Sequence, residues 1–327
     1  EGDTLVILTA AVNAMILLPF ILLFSPSGFI NDKYSKTRVI RVAALAGVAI
    51  SVAILFSYLA GLFEVAFLMT FILAVQSAIY SPAKYGIVKS LVGTENLGMA
   101  NGIIQALTIV AILFSSFVFS YVFEISYAHS DDPSQILSSI YMIGILLVVF
   151  SALEAFFAYK LPFIEASEAE FKEKFDAKKY FKLSYLKENL SAIRQNQNIW
   201  LSIIGLSVFW GVSQVVIAAF PAHYKMIFND DNALAIQAIL AVSAIGIIAG
   251  SYTAGAMSKF HIELGIVPVG TFGIFLSLFF FGSSSSILSV TLCSFAFGFF
   301  GGIFIVPLNA TIQYFAPDKT MGKIMAG

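Results

Sequence analysis

The strongest constraint on the fold of this chain is a series of nine apolar runs, which are separated by polar connections. The hydrocarbon core of a bilayer needs roughly 20 apolar residues per helix, and these runs have that length. Strands of a membrane barrel would instead alternate in polarity over about 10 residues. The sequence therefore predicts an all-α polytopic membrane protein with spans at 4–26, 38–60, 63–81, 98–122, 137–160, 199–220, 234–257, 265–282 and 286–308.

Composition excludes several other classes of protein. Hydrophobic residues make up 59% of the 327 and charged residues 11%, which is more apolar surface than one water-facing core can bury. A net charge of -1 offers no basic surface for nucleic acid, so we predict no nucleic-acid partner. The single cysteine, Cys293, leaves no internal disulfide or thiolate cluster, and we predict no metal site and no cofactor.

Lysine and arginine mark one side of the membrane. The connections 27–41, 82–97, 160–198 and 258–264, together with the tail after 309, hold every Lys and Arg except Lys225. Because basic residues concentrate in cytoplasmic loops, these connections are predicted to be cytoplasmic, with residue 1 outside and residue 327 inside. The segment GFINDKYSKTRVIR, residues 28–41, is then a cytoplasmic loop.

The longest connection separates two groups of spans. We predict an N-terminal helical bundle of five spans over 1–160, a cytoplasmic linker over 161–198 and a C-terminal bundle of four spans over 199–327. The linker is rich in lysine, and its apolar residues recur at helical spacing, namely Phe171, Phe175, Leu186, Leu190 and Ile193. Two interpretations remain open: an interfacial helix on the anionic leaflet, or a solvated helical linker.

A weak internal repeat relates the two groups. Pro82 lies twenty residues before Gly102, and Pro307 lies twenty residues before Gly327, each pair after an apolar span and across a short polar loop. A second match relates the end of the first span to the end of the seventh, namely Gly28, Asp32, Ser35 and Lys36 to Ser251, Gly255, Ser258 and Lys259. Both matches have an offset of about 225 residues and fall on the same predicted side. Two halves in parallel orientation, joined by a long cytoplasmic loop, are typical of one class of transporter.

The segment GFINDKYSKTRVI resembles the loop signature of the major facilitator superfamily, Gly-x-Leu-Ala-Asp-Arg-x-Gly-Arg-Lys. Gly28, Asp32, Lys33 and Lys36 occupy matching places, and Ser35 stands where glycine is usual. The resemblance implies the fold of that superfamily. It also implies that the nine spans are helices 2 to 10 of twelve, so that the sequence is a fragment.

Three further stretches, QSAIYSPAKYGIVKSL, SKFHIELGIVPVG and GGIFIVPLNATIQ, resemble the bacterial lysophospholipid transporter family, including its acyltransferase-fused relatives. The resemblance implies movement of lysophosphatidylethanolamine and lysophosphatidylglycerol from the outer to the inner leaflet of the bacterial inner membrane. Its implied partners are membrane lipids and a fused or separate acyltransferase and ligase, which would reacylate the lipid.

The same resemblance assigns gating residues. Asp32 would lock the two halves in the outward-open state, and Gly28, Lys33 and Lys36 belong to the same signature. For Lys33 and Lys36, the first interpretation is that their charge fixes which side of the membrane this segment occupies. The second interpretation is that they form contacts in the gate. Glu263, in the IELG stretch, is carried over as a second cytoplasmic gate residue.

Candidate substrate-binding residues lie on three spans. On the third span Gln76, Tyr80 and Lys84 recur every four residues, which predicts a shared helix face. Polar groups at membrane depth are costly unless they face protein or water, so Gln76 is predicted to contact a lipid headgroup, with Tyr80 beside it. Lys84 is predicted either to attract the phosphate or to serve as a snorkelling anchor.

On the sixth span, Trp210 and Gln214 are one helical turn apart. The Trp210 ring could cover an ethanolamine ammonium by cation–π attraction, or pack against a neighbouring helix. Asn309, at the end of the ninth span, offers an amide for the substrate or for a bond between helices.

Two other classes of function compete with lipid transport. A proton-coupled carrier for a drug or small solute would need a titratable group in the spans, and Glu154 is the one candidate. An enzyme is disfavoured, because none of His129, His223 or His261 is followed by an aspartate at the spacing that acyltransferases use.

Overall fold

The computed structural model describes residues 15–127, 132–164, 175–229 and 233–326. Residues 4–14 of the predicted first span, residues 165–174 of the linker with Phe171, and the repeat residue Gly327 lie outside this part of the chain. The helices of the first half are α1 Met15–Leu22, α2 Phe24–Lys33, α3 Lys36–Leu59, α4 Phe63–Gly86, α5 Val88–Val92, α6 Leu97–Ser126, α7 Pro133–Ser139 and α8 Tyr141–Lys160.

The second half begins with two short linker helices and continues with four long ones. A 3₁₀ turn at Asp318–Thr320 separates the last long helix from a final short one. These helices are α9 Ala177–Phe181, α10 Ser184–Arg194, α11 Gln197–Phe228, α12 Ala233–Met257, α13 Ile266–Ser283, α14 Ile287–Phe315 and α15 Met321–Met325.

Within the described residues, eight helices are long and apolar enough to cross a membrane. The pair α1–α2, bent by 55° at its break, counts as a ninth if it forms one span. The prediction of an all-α polytopic protein is thereby confirmed.

The interpretation of residues 28–41 as a loop is wrong. This stretch is helical except at Tyr34 and Ser35, because α2 runs to Lys33 and α3 begins at Lys36. The Ser35 hydroxyl caps α3 by accepting a hydrogen bond from the Arg38 N–H at 3.3 Å. A serine at this place therefore has a local structural role, since hydroxyl side chains satisfy the free N–H groups of a helix start.

The chain folds into two compact units. Unit 1 comprises Glu1–Ser90, Phe117–Ile193 and Ala316–Gly327, and unit 2 comprises Leu91–Ser116 and Arg194–Phe315. Each unit therefore takes part of α6, and α15 belongs to unit 1. The predicted contiguous bundles at 1–160 and 199–327, with a linker at 161–198, stay a prediction.

Unit 1 is organised around α3, which packs on α4 and α8. Its buried core consists of small and branched residues: Val39, Ile40, Ala44, Ala83, Ile87, Ala155 and Ala158. Arg41 donates hydrogen bonds to the carbonyl oxygens of Tyr159 at 3.3 Å and Leu161 at 2.8 Å. A cation there satisfies free carbonyls at the C-terminal end of α8, so one of the basic residues in 28–41 has a structural partner.

Unit 2 is organised around the crossing of α12 and α14. A Cβ atom on Gly250 would overlap the carbonyl oxygen of Phe299, and one on Gly298 would overlap that of Ser243. Glycine at these places lets the two backbones approach closely, as small residues do between membrane helices.

Candidate functional site

The carboxylate of Asp32 binds the beginning of α15. Asp32 is 8% exposed, and its Oδ1 accepts a hydrogen bond from the N–H of Gly322 at 2.6 Å. Its Oδ2 accepts from the N–H of Lys323 at 3.3 Å. These N–H groups lie in the first turn of α15, where a helix presents backbone donors to an acceptor outside it. The charges of Lys323 and Lys36 add attraction to the carboxylate.

Two glycines permit this contact. A Cβ atom on Gly28 would lie 2.9 Å from the Cα of Lys323, and one on Gly322 would lie 2.7 Å from Oδ1 of Asp32. Both distances are shorter than a Cβ atom keeps from any non-bonded heavy atom. The helices α2 and α15 therefore approach this closely only with glycine at these positions. The gating residues Gly28, Asp32 and Lys36 are thus near one another.

The other two predicted gating residues have different surroundings. Lys33 lies over the rings of Phe29 and Tyr34, with Nζ 5.7 and 5.6 Å from their centroids. In unit 2, the Glu263 carboxylate pairs with the imidazole of His261 at 2.9 Å and accepts from the Gly265 N–H at 3.1 Å. The hydrogen bond with His261, followed by that with Gly265, lowers the pKa of Glu263 from its ordinary value.

An apolar groove runs along α3 and α4 in unit 1. Its volume is about 520 Å³, and it is lined by Tyr34, just before α3, and by Arg38, in the first turn of α3. The Arg38 guanidinium stacks on the Tyr34 ring at 5.7 Å. Apart from Gln76, the remaining wall is aliphatic and includes Val42, Ala46, Ile50, Ile72, Val75 and Ile79.

Gln76 forms part of this groove wall and is hydrogen-bonded within the protein. Its Nε2 donates to the carbonyl oxygen of Ala43 at 2.8 Å, and its Oε1 accepts from the Ser77 hydroxyl at 3.3 Å. The amide thereby joins α4 to α3 while one side of it lines the groove.

Tyr80 and Lys84 turn instead toward α8. The Tyr80 hydroxyl forms a hydrogen bond with the Glu154 carboxylate, and Lys84 is attracted electrostatically to the same carboxylate. A carboxylate inside a span is costly, and these two neighbours offset the cost for Glu154 by pairing and hydrogen bonding.

The three polar residues of α4 therefore divide between two neighbours, although they recur every four residues. A step of four residues overshoots one helical turn of 3.6 residues by about 40°. Over the two steps from Gln76 to Lys84, the side chains rotate by about 80°, from the groove toward Glu154 of α8. Substrate binding by these residues stays a prediction.

Trp210 lines an apolar pocket of unit 2. The pocket has a volume of about 180 Å³, and Ser213, Ser243 and Ser294 are the polar residues in its wall. The indole is 42% exposed and meets the Phe209 ring edge-on at 5.5 Å. The choice between the two predicted roles of Trp210, helix packing and ligand contact, stays a prediction.

The other two substrate-binding candidates of unit 2 are Gln214 and Asn309. Gln214 is exposed on α11, and Asn309 is half-buried on α14. Their proposed contacts with substrate stay predictions.

Two buried amides pair with each other, and this pairing was not predicted from the sequence. Asn101 on α6 donates from Nδ2 to Oε1 of Gln313 at 2.8 Å, and Gln313 on α14 donates from Nε2 to Oδ1 of Asn101 at 3.0 Å. Both amides are nearly inaccessible, and each satisfies the other. The available signal was one amide within the fourth apolar run and another shortly after the ninth, but nothing local pairs residues 212 positions apart.

The family model of the Major Facilitator Superfamily matches residues 5–326. The chain belongs to the Major Facilitator Superfamily. The predicted superfamily resemblance is confirmed, and the family indicates a multi-pass membrane transporter.

Relatives named Lysophospholipid transporter LplT share similarity along most of this chain. The protein of Photorhabdus laumondii is 29% identical over 90% of this chain and 68% of its own length. The protein of Yersinia pestis strain Pestoides F is 27% identical over 91% of this chain and 66% of its own length. The chain thus spans about two thirds of these relatives.

Solved structures agree in fold alone. The E. coli fucose:proton symporter FucP superposes with a TM-score of 0.76 at 12% identity, covering 96% of this chain and 80% of that one. A bacterial homologue of the iron transporter ferroportin in its outward-facing state gives 0.67 at 14% identity, covering 97% and 77%.

Proposed function

We propose that this superfamily member moves lysophosphatidylethanolamine and lysophosphatidylglycerol from the outer to the inner leaflet of the bacterial inner membrane by alternating access. The observation that carries the proposal is the groove of unit 1, which is apolar along its length and has the Arg38 guanidinium at the start of α3. Such a groove suits a ligand with one apolar chain and a phosphate, since guanidinium binds phosphate through paired hydrogen bonds. The relatives named as lysophospholipid transporters support the same substrate class.

The headgroup would meet polar residues around this groove. Arg38 takes the phosphate and Gln76 shapes the wall beside it. Lys84 is a second cation for the phosphate, released from Glu154 when the substrate arrives, with the Tyr80 hydroxyl next to it. Considered by itself, unit 2 offers the exposed edge of Trp210 for contact with an ammonium group and the amides of Gln214 and Asn309 for contact with substrate.

The contact between Asp32 and α15 is proposed to be the lock of the outward-open state. It depends on two N–H groups and on the charges of Lys36 and Lys323, so it can form and break without rebuilding a core. Glu263 is proposed as a second gate residue and Lys33 as a topology determinant.

We also propose that the basic connections lie on the cytoplasmic side, with residue 1 outside and residue 327 inside. A lysophospholipid delivered to the inner leaflet is a substrate for reacylation. A fused or separate acyltransferase and ligase would consume it there.

Replacing Arg38 with glutamine tests the proposal. Loss of one charged hydrogen-bonding partner for a phosphate costs about 1.5 to 3 kcal/mol, so uptake of labelled lysophosphatidylglycerol into proteoliposomes should fall by about tenfold or more. Arg194→Gln is a matched control, because that guanidinium also stacks on an aromatic ring, Trp200 at 4.9 Å, and lies outside the groove. Equal uptake by both variants, with both proteins folded, would contradict the assignment of the groove.

The alternative function is a proton-coupled carrier for a drug or small solute, which is favoured by the Glu154 carboxylate within a span. The substitution Glu154→Gln distinguishes this alternative from lysophospholipid transport. Glutamine keeps an oxygen for the Tyr80 hydroxyl and frees Lys84, so the lipid proposal predicts retained uptake that is independent of a pH gradient. A proton-coupled carrier would lose gradient-driven accumulation with this substitution, because a glutamine cannot bind and release the proton. Uptake should be measured with and without an imposed gradient, for lysolipid and for a panel of drugs.

A further inference from the structure

The turn between α9 and α10 presents two large apolar side chains to the surroundings. Phe181 is 81% exposed and Leu183 is 55% exposed. The apolar residues predicted to face a membrane differ from these: Ile193 is buried at 2%, and Phe175 stacks on Tyr185 at 5.1 Å. Phe175 and Leu190 of this stripe are 38% and 36% exposed, so the stripe is only partly buried. The two apolar side chains at the turn are more exposed than any described residue of the stripe.

The backbone at this turn is one that glycine would adopt more readily. Leu183 has φ of 58°, in the left-handed region, where a side chain costs roughly 1 kcal/mol or more. The turn itself is closed by backbone bonds, from the Lys182 N–H to the carbonyl oxygen of Lys178 and from the Leu183 N–H to that of Tyr180. Glycine would make the same bonds without this cost, so the leucine side chain occupies a backbone conformation that disfavours it.

Lysines surround the two apolar side chains. Lys178, Lys179 and Lys182 lie within five residues of Leu183, and Lys187 lies one turn into α10; all four are exposed. Apolar side chains flanked by lysines are the surface that the headgroup region of an anionic bilayer attracts, through apolar insertion and charge together.

The turn is also held beside a membrane-spanning part of unit 1. The Tyr180 hydroxyl donates to the carbonyl oxygen of Leu22 at 2.8 Å, and the Phe175 ring meets that of Phe29 on α2 edge-on at 5.4 Å. The span α3 begins at Lys36, directly after α2. The turn is therefore bonded to a segment that directly precedes a candidate membrane span.

We propose that the α9–α10 turn is a binding site for anionic phospholipid of the surrounding bilayer, with Phe181 and Leu183 inserted among the acyl chains and Lys178, Lys179 and Lys182 on the phosphates. This site is separate from the groove, and it depends on the protein spanning a membrane but not on which substrate it carries.

A fluorescent probe at Ala177 tests the proposal. Ala177 is exposed and lies one turn before Phe181 on the same helix face, so a labelled Ala177→Cys in a Cys293→Ser background leaves both apolar side chains intact. The matched control is a labelled Glu188→Cys, which is exposed on α10 of the same linker. The protein is placed in nanodiscs of phosphatidylcholine, with or without phosphatidylglycerol, that contain lipids carrying a nitroxide quencher near the headgroup.

The probe at residue 177 should be quenched more than the probe at 188, and more with phosphatidylglycerol than without. Replacing each of Lys178, Lys179 and Lys182 by glutamine should lower the ratio of bound to released segment roughly fivefold, and high salt should act in the same direction. Phe181→Ser should reduce quenching in both lipids. Unchanged thermal melting of the variants would show that the bundle is intact.

Equal quenching at residues 177 and 188 in the phosphatidylglycerol discs would overturn the site. Quenching at 177 that ignores phosphatidylglycerol would overturn the anionic specificity. A probe that is shielded from aqueous iodide but not quenched by lipid nitroxide would indicate a protein partner instead of lipid, which also overturns the proposal. Transport of lysolipid is a separate measurement, so either proposal can fail alone.

Discussion

Replacing Gly250 with alanine is expected to destabilise unit 2 by about 3 kcal/mol and to lower the recovery of folded protein. The added Cβ would overlap the Phe299 carbonyl oxygen and would lie 2.7 Å from the carbonyl carbon and 3.0 Å from the Cα of the same residue. Backbone atoms cannot rotate away as a side chain can, so α12 and α14 would have to separate. The loss should appear as a lower melting temperature in detergent.

Gly211→Ala is the matched control for this change. It is also a helical glycine of unit 2, but a Cβ there would have nothing within 4 Å among the described residues. Alanine favours a helix over glycine by about 1 kcal/mol, so this variant should melt at the wild-type temperature or slightly above it. If Gly250→Ala melted like Gly211→Ala, the close crossing of α12 and α14 would be wrong.

Asp32→Ala is expected to release α15 from α2 and to reduce transport at least tenfold. The substitution leaves the N–H groups of Gly322 and Lys323 without their acceptor, and each hydrogen bond to a charged group contributes about 1.5 to 3 kcal/mol. A loss of this size shifts the equilibrium between contact and release by one or more powers of ten. Ile324 is 2% exposed and reports on release. In a Cys293→Ser background, maleimide labelling of Ile324→Cys should be slow when Asp32 is present and fast when Asp32 is replaced by alanine.

Two further variants separate charge from hydrogen bonding. Asp32→Asn keeps one oxygen for the Gly322 N–H but loses the attraction of Lys36 and Lys323, so its labelling rate should be intermediate. Asp318→Asn removes a carboxylate that is 66% exposed and 3.8 Å from Lys89, and exposed pairs contribute about 0 to 1 kcal/mol. Fast labelling in Asp318→Asn, or slow labelling in Asp32→Ala, would contradict the role of Asp32.

Some features of the site could be predicted from local pattern. Asp32 can be identified from the sequence because it falls in a recognisable signature at the end of α2. In the structure its carboxylate contacts the N-terminus of a different helix, α15, where a negative charge is stabilised. Its partner could not be predicted, because Gly322 lies 290 residues away and belongs to a five-residue helix. The partners of Gln76, Tyr80 and Lys84 also could not be predicted, because the regular spacing of these residues does not indicate which neighbouring helix each one contacts.

Local properties of the chain were enough to establish the class of this protein, because a bilayer responds directly to runs of about 20 apolar residues and to the placement of lysine and arginine. The start of α3 is also a local property, since it depends on the hydroxyl of Ser35. Three-dimensional packing was needed to bring Asp32 to Gly322, Asn101 to Gln313 and Gly250 against Phe299. Those contacts join residues far apart in the chain, and they follow from how whole helices pack.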